Sequence, residues 1–96
     1  GHPLCDMFFV ACVDFVMIEV TGSSKTKSVT DKAKKLEDWI TNQPELINGL
    51  LPVGIVLAPN IDEPSFQRGT RMHVVQGKDA VRLLGAFQQF RRWFQS

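Results

Sequence analysis

Val13-Asp14-Phe15-Val16-Met17-Ile18-Glu19-Val20-Thr21-Gly22-Ser23-Ser24-Lys25 is an apolar run that carries a carboxylate near its end and then becomes a polar turn. The β-branched and aromatic residues at 15–20 favour a strand. A carboxylate is costly to bury among such side chains unless a metal, a base or solvent compensates its charge. Glu19 therefore predicts a functional site at the end of this strand.

The apolar residues that precede this stretch predict a second strand. Residues 7–20 would span about 45 Å as one extended strand, which is too long for a domain of this size. We therefore expect a bend at 12–14, although that segment contains no glycine, proline or asparagine. A helix over 4–12 is the alternative, because apolar residues also recur there at helical spacing.

A helix is predicted directly after the polar turn. Ser28 and Asp31 resemble a capping pair, and the helix is expected over 28–42, ending before Pro44. A short helical turn at 44–48 follows. The apolar stripe of the helix consists of Val29, Ala33, Leu36 and Ile40.

The second half of the chain predicts two strands and a long helix. Residues 53–58 are continuously apolar between two prolines, as in a strand that is buried on both faces. Residues 60–70 are polar and indicate a loop, and residues 71–76 indicate a short strand. A helix is expected from Gly77 to about Phe94. Its packing side is predicted to carry Val81, Leu84, Phe87, Phe90 and Phe94.

The resulting order, β-β-α-β-β-α, predicts an α/β fold with a central mixed sheet of about four strands flanked by helices. A length of 96 residues allows a single domain, 1–96, which is either whole or a piece of a longer protein. The net charge of +1 does not indicate nucleic acid. The longest apolar run is too short to cross a bilayer, so we expect no membrane partner.

The cysteines and glycines exclude some kinds of site. Cys5 and Cys12 lack the spacing of structural zinc ligands, and we expect reduced thiols in an intracellular protein. No basic segment precedes the first apolar stretch, as it would in a signal peptide. No GxGxxG or GxxxxGK[ST] pattern is present, so nothing favours a small-molecule phosphate site.

Asp6 is the predicted partner of Glu19. If the chain folds back near residues 12 and 13, positions 6 and 19 lie opposite each other on neighbouring strands. Asp14 points to the other face and lies about 16 Å from Glu19 along an extended strand. Two carboxylates so placed are able to hold Mg²⁺, which prefers oxygen ligands and retains several waters.

These residues resemble a known motif. Cys5-Asp6 and then, thirteen residues after Asp6, Glu19-Val20-Thr21 are similar to the PD-(D/E)xK motif of the restriction-endonuclease-like superfamily. In that superfamily the aspartate and the Glu-x-Lys lie on adjacent strands, followed by a helix and a further apolar strand. The resemblance covers roughly residues 4–60. It implies Mg²⁺ or Mn²⁺ at Asp6 and Glu19 and cleavage of DNA or RNA phosphodiesters.

Two departures from the motif affect the expected activity. Cys5 replaces the proline, and Thr21 stands where the lysine belongs. The lysine sometimes comes from elsewhere in this superfamily, including the following helix, so Lys25, Lys27 and Lys34 are the candidates. An inactive member that retains the scaffold is the other interpretation. On the nuclease interpretation, the five lysines after Glu19 would contact phosphates beside the metal, but they also fit an ordinary solvated helix face. They are Lys25, Lys27, Lys32, Lys34 and Lys35.

The final helix predicts an interface. It has more large apolar residues than one face of a small sheet requires, which indicates burial on two sides. The alternative function is therefore a non-catalytic interaction or dimerisation module that uses this helix against a second copy or a neighbouring domain. The large apolar residues of the helix are Leu83, Leu84, Phe87, Phe90, Trp93 and Phe94.

Overall fold

The computed structural model describes residues 6–42 and 49–95, with side chains up to Gln89. It has the α/β architecture that the sequence predicts, with one open mixed sheet and a helix on each face. The sheet order is β1-β2-β3-β5-β4. The elements in chain order are β1 Met7–Ala11, β2 Asp14–Val20, α1 Thr26–Thr41, β3 Leu51–Ala58, β4 Phe66–Arg68, β5 Met72–Gln76 and α2 Gly77–Gln95.

The sheet has five strands where about four were expected. The additional strand, β4, lies within the segment 60–70 that was predicted to be a loop. It has only three residues and pairs antiparallel with β5 at the edge of the sheet. A strand of three residues is too short to show the alternation of apolar and polar residues that identifies a strand. The polar composition of the segment therefore favoured a loop. The predicted helical turn at 44–48 lies outside the described residues.

β1 and β2 form the predicted hairpin, and the alternative of a helix over 4–12 is wrong. Their antiparallel register runs from the Met7–Ile18 pair to the Ala11–Asp14 pair. The turn consists of Cys12 and Val13, and Cys12 adopts a φ of 55°. Glycine or asparagine usually occupies such a position, and a left-handed conformation costs another residue roughly 1–2 kcal/mol. Pairing of the two strands holds Cys12 in this conformation.

The middle of the sheet is parallel and covered on both faces. β3 pairs in parallel with β2 on one side and with β5 on the other. Val56, Leu57 and Ala58 are consecutive and completely buried, so both faces of β3 are excluded from solvent at its carboxyl end, while Val53 and Ile55 are half-buried. This confirms the prediction for the apolar run 53–58 and follows from the two helices that cover the sheet.

α1 covers one face with the predicted apolar stripe: Val29, Ala33, Leu36 and Ile40 are buried. The predicted capping pair is wrong, because the helix begins at Thr26 and its N-cap, Lys25, makes no capping side-chain hydrogen bond. In the turn before the helix, side-chain hydroxyls accept hydrogen bonds from N–H groups of the turn itself. Thr21 Oγ1 accepts a hydrogen bond from the Ser23 N–H (3.2 Å), and Ser23 Oγ accepts one from the Lys25 N–H (3.1 Å).

α1 approaches the sheet most closely over Gly54 in β3. A Cβ at this position would lie 2.8 Å from Met72 Sδ, 2.9 Å from Leu36 Cδ2 and 3.0 Å from Ile40 Cδ1. These distances are shorter than ordinary carbon contacts of about 3.5–4.0 Å. Glycine therefore provides the space that the helix side chains fill.

α2 covers the opposite face. Ala80 is buried against Val16, Ile18 and Leu57, and further apolar side chains of the helix pack beside it. Val81 was predicted to face the sheet, but it is 57% exposed. Ala80, Leu83, Leu84 and Phe87 form the stripe that packs on the sheet. The side chains of Phe90 and Phe94 lie outside the description. Within the described residues no helix has the length and apolar character needed to cross a membrane.

Candidate functional site

The β1–β2 hairpin brings Asp6 next to the end of β2. Position 6 is one residue beyond the Met7–Ile18 pair, so the register continued by one step sets it opposite Glu19. The Asp6 N–H donates to the Ile18 carbonyl oxygen at 2.8 Å. Positions 17 and 19 share one face of β2, and Met17 packs in the core beneath α1. Glu19 is therefore on the face that α1 covers.

The Asp6 carboxylate is tied to the backbone of β2. Its Oδ2 accepts a hydrogen bond from the Val20 N–H at 2.7 Å. A charged acceptor makes this bond stronger than a neutral one, and it holds the carboxylate beside the residue that follows Glu19. Asp6 is exposed, and its Oδ1 takes part in none of the hydrogen bonds found among the described residues. One oxygen thus positions the carboxylate of a residue that is exposed to solvent.

Glu19 forms an ion pair with Lys32 of α1. The Nζ of Lys32 lies 3.1 Å from Oε1 of Glu19, and the two side chains are 42% and 20% exposed. The pair joins β2 to the helix above it. Because solvent reaches both groups, such a pair contributes roughly 0.2–1 kcal/mol to stability. The pair therefore adds little to stability, but it sets a positive charge beside Glu19, the candidate metal ligand.

Among the described lysines, Lys32 is the one that forms an ion pair with Glu19, and the sequence prediction named others. Lys25, Lys27 and Lys34 are exposed, and none of them forms an ion pair with a described carboxylate. Helical geometry explains the difference. At about 100° per residue, Lys32 is roughly 70° from the centre of the buried stripe and Lys34 about 130° away. A helical projection of α1 would have identified Lys32 from the sequence.

Thr21, at the motif's lysine position, has a structural role. It is 4% exposed and therefore lies under the protein surface. Its N–H donates to the Leu57 carbonyl oxygen at 2.9 Å, and its hydroxyl accepts the bond from Ser23 described above. A lysine at this point would lose the hydroxyl contact with Ser23. The ammonium beside Glu19 comes from α1 instead.

Two further polar clusters are structural. Arg68 of β4 pairs with Glu37 on the other flank of α1 at 3.3 Å, which mirrors the Lys32–Glu19 pair across the helix. Ser65 Oγ accepts the Gln76 N–H (2.9 Å) and donates to Asp79 Oδ2 (3.2 Å), so the loop is fastened to the start of α2.

The donors present suit a hard cation with few protein ligands. Within residues 6–42 and 49–95, no group of three or more histidine, cysteine, aspartate or glutamate side chains is placed to hold a metal. Asp6 and Glu19 provide two carboxylates, and Mg²⁺ is commonly bound by one or two carboxylates with several retained waters. The pairing of β1 with β2 is continuous from Met7–Ile18 to Ala11–Asp14. Asp14 lies five positions before Glu19, so its side chain points to the other face of the strand.

Comparison with known proteins finds no family model, no curated protein and no solved structure that matches this chain.

Proposed function

We propose that this chain is a divalent-metal-dependent phosphodiesterase domain of the PD-(D/E)xK type that acts on nucleic acid. The observation that carries the proposal is the arrangement of Asp6 and Glu19, which the hairpin brings to one end of two adjacent strands. The motif resemblance requires that arrangement. The arrangement of the two carboxylates depends on the hairpin turn at Cys12 and Val13, which contains no glycine or asparagine.

The order of elements after Glu19 also supports the proposal. α1 follows the carboxylate, and β3 then returns beside β2 in parallel. This is the helix and apolar strand that the resemblance implies. The lysine is the remaining part of the motif, and Lys32 supplies an ammonium at Glu19 from α1. A lysine from the helix after the carboxylate takes the place of one at Thr21.

Asp6 and Glu19 would hold Mg²⁺ or Mn²⁺, which supplies positive charge that activates water and stabilises charge on a phosphate. In the hydrolysis, the oxygen of water bonds to phosphorus and one P–O bond to a sugar breaks. The sugar oxygen takes up a proton, so that a phosphomonoester and a hydroxyl result. Among the described residues Lys32 is the cation that pairs with Glu19, and it would provide positive charge for the phosphate.

The exposed lysines after β2 fit contacts with the phosphate backbone. Lys25 precedes α1, and Lys27 and Lys34 are exposed on it. Contacts of this kind position nucleic acid without reading its sequence and weaken as salt increases. The proposed compartment is intracellular, which the free and exposed Cys12 thiol supports, because thiols remain reduced there.

Cleavage of labelled oligonucleotides tests the function. We expect the protein to cut single-stranded DNA, duplex DNA or RNA in Mg²⁺ or Mn²⁺ and to lose this activity in excess EDTA. Renewed cutting after fresh metal is added would separate metal dependence from inactivation. Cutting that persists in EDTA would contradict the proposal, as would the absence of cutting on all three substrates with either metal.

A second candidate function is a non-catalytic interaction module, and the surface of β1 favours it. β1 is an edge strand without a charged residue. Phe8 and Val10, on the face covered elsewhere by α1, are 57% and 58% exposed, and Val13 at the hairpin tip is 61% exposed. An uncharged apolar edge is a template for pairing with another strand. The earlier prediction that α2 forms the interface stays a prediction.

Light scattering after size exclusion tests this second candidate. If β1 pairs with β1 of a second copy, the wild-type mass is that of a dimer and Val10→Lys shifts it to a monomer, because a lysine on an edge strand opposes pairing. Val81→Lys is the matched control, since Val81 is 57% exposed on α2. A monomeric wild type would rule out pairing between copies. A shift with Val81→Lys alone would assign the contact to α2.

A further inference from the structure

The Lys32 ammonium lies against the carboxylate that the proposed function assigns to the metal. Its Nζ is 3.1 Å from Glu19 Oε1, although the two residues are thirteen positions apart and belong to different elements. A divalent ion and an ammonium at the same oxygen repel each other. The Lys32 contact and metal binding at Glu19 therefore oppose each other.

We propose that Lys32 competes with the divalent ion for Glu19 and that its ammonium turns to the substrate phosphate when the ion is bound. This inference rests on the proposed function, because it takes Glu19 as a metal ligand. In the metal-free protein the ammonium neutralises Glu19. In the loaded protein the same ammonium is released toward the anion that arrives beside the metal.

The packing of α1 allows the ammonium to move while the helix stays in place. Val29 and Ala33 are buried on either side of Lys32 in the sequence, which holds the backbone of this turn on the sheet. The Lys32 side chain is 42% exposed and has a flexible four-carbon stem. The side chain alone can therefore change partner.

The exposure of the pair makes the competition mild. Exposed ion pairs are weak, so a divalent ion is able to displace the ammonium from Glu19. The displaced charge stays near the site, because the stem is anchored on α1. We therefore expect Lys32 to lower the affinity for the metal several-fold without preventing its binding.

Mn²⁺ binding measured by the electron paramagnetic resonance of the free ion tests this inference. Lys32→Met removes the charge and keeps a side chain of similar shape. We expect this variant to bind Mn²⁺ about 3- to 10-fold more tightly than wild type and to cleave nucleic acid more slowly. Lys35→Met, an exposed position on the same helix, removes the same charge away from Glu19 and is expected to match the wild-type affinity.

Each outcome decides between the inference and the function on which it rests. If Glu19→Gln loses Mn²⁺ binding while Lys32→Met binds it no more tightly than wild type, competition is overturned and the metal site stands. Equal tightening by Lys32→Met and Lys35→Met would assign the effect to overall charge and also overturn competition. If wild type and Lys32→Met both bind no Mn²⁺, the metal site and the inference fail together.

Discussion

Glu19→Gln is expected to lower metal-dependent cleavage roughly 100-fold or more. The amide keeps the shape of the side chain but loses the negative charge that attracts a hard cation. Substitution of groups that merely support metal ligands already costs about 10- to 100-fold, and Glu19 is proposed as a ligand itself. Initial rates on a labelled oligonucleotide, measured over a range of Mn²⁺ concentrations, give the size of the effect.

The stability of the same variant separates a loss of chemistry from a loss of fold. Glu19 contacts Lys32 in a pair that is open to solvent, so the free energy of unfolding should change by less than about 1 kcal/mol. Glu37→Gln breaks the comparable pair with Arg68 on the other flank of α1 and should leave cleavage near the wild-type rate. Cleavage that persists in Glu19→Gln would remove this carboxylate from the reaction.

Leu36→Ala is expected to lower the free energy of unfolding by about 3 kcal/mol. Leu36 is 2% exposed and lies in the core between α1 and the sheet. Truncation removes apolar contacts and leaves a cavity, because the surrounding side chains and the sheet relax only partially into the space. Urea unfolding monitored by circular dichroism measures the change, and Lys35→Ala on the exposed side of the helix is the control. A loss below 1 kcal/mol would show that this contact is not tightly packed.

A double-mutant cycle extends this prediction to Gly54. Gly54→Ala alone adds a methyl group that meets Leu36 Cδ2 at 2.9 Å, and overpacking of this kind costs roughly 1–3 kcal/mol. In Gly54→Ala with Leu36→Ala, the contact of the new methyl with Leu36 is relieved, while its contacts with Met72 and Ile40 remain. We expect the double variant to lose about 1 kcal/mol less than the sum of the two single losses. Strict additivity would contradict the close approach at this position.

The parts of the fold that were predictable are those with a strong apolar pattern. The spacing of apolar residues predicts the buried stripe of α1, the unbroken apolar run predicts the strand at 53–58, and both are confirmed. β4 was missed, since three residues are too few to show alternation. The start of α1 was predicted two residues late, because Ser28 and Asp31 are residue types that often form an N-terminal capping pair. In the structure the helix begins at Thr26, and the hydroxyls of the turn before it accept hydrogen bonds from that turn's own backbone.

The candidate site was predictable where it depends on strand register. The opposition of positions 6 and 19 follows from a two-residue turn at 12 and 13, and the hairpin has that turn. The lysine was not identified, because Lys25, Lys27 and Lys34 were chosen as lysines of the turn and helix after Glu19, without regard to the side of α1 on which each lies. Three-dimensional closeness depends on which side of α1 faces the strand. Val81 was misassigned for a similar reason, as the stripe of α2 is centred on Ala80.

The placement of both carboxylates within a single hairpin has a consequence for how the protein folds. Hairpins form within microseconds, whereas joining β2 to β3 requires closure of a long loop that includes α1. We therefore expect Asp6 and Glu19 to come together early and Lys32 to reach Glu19 only when the helix docks. During that interval the nascent hairpin would present two unpaired acidic groups to any cation in solution.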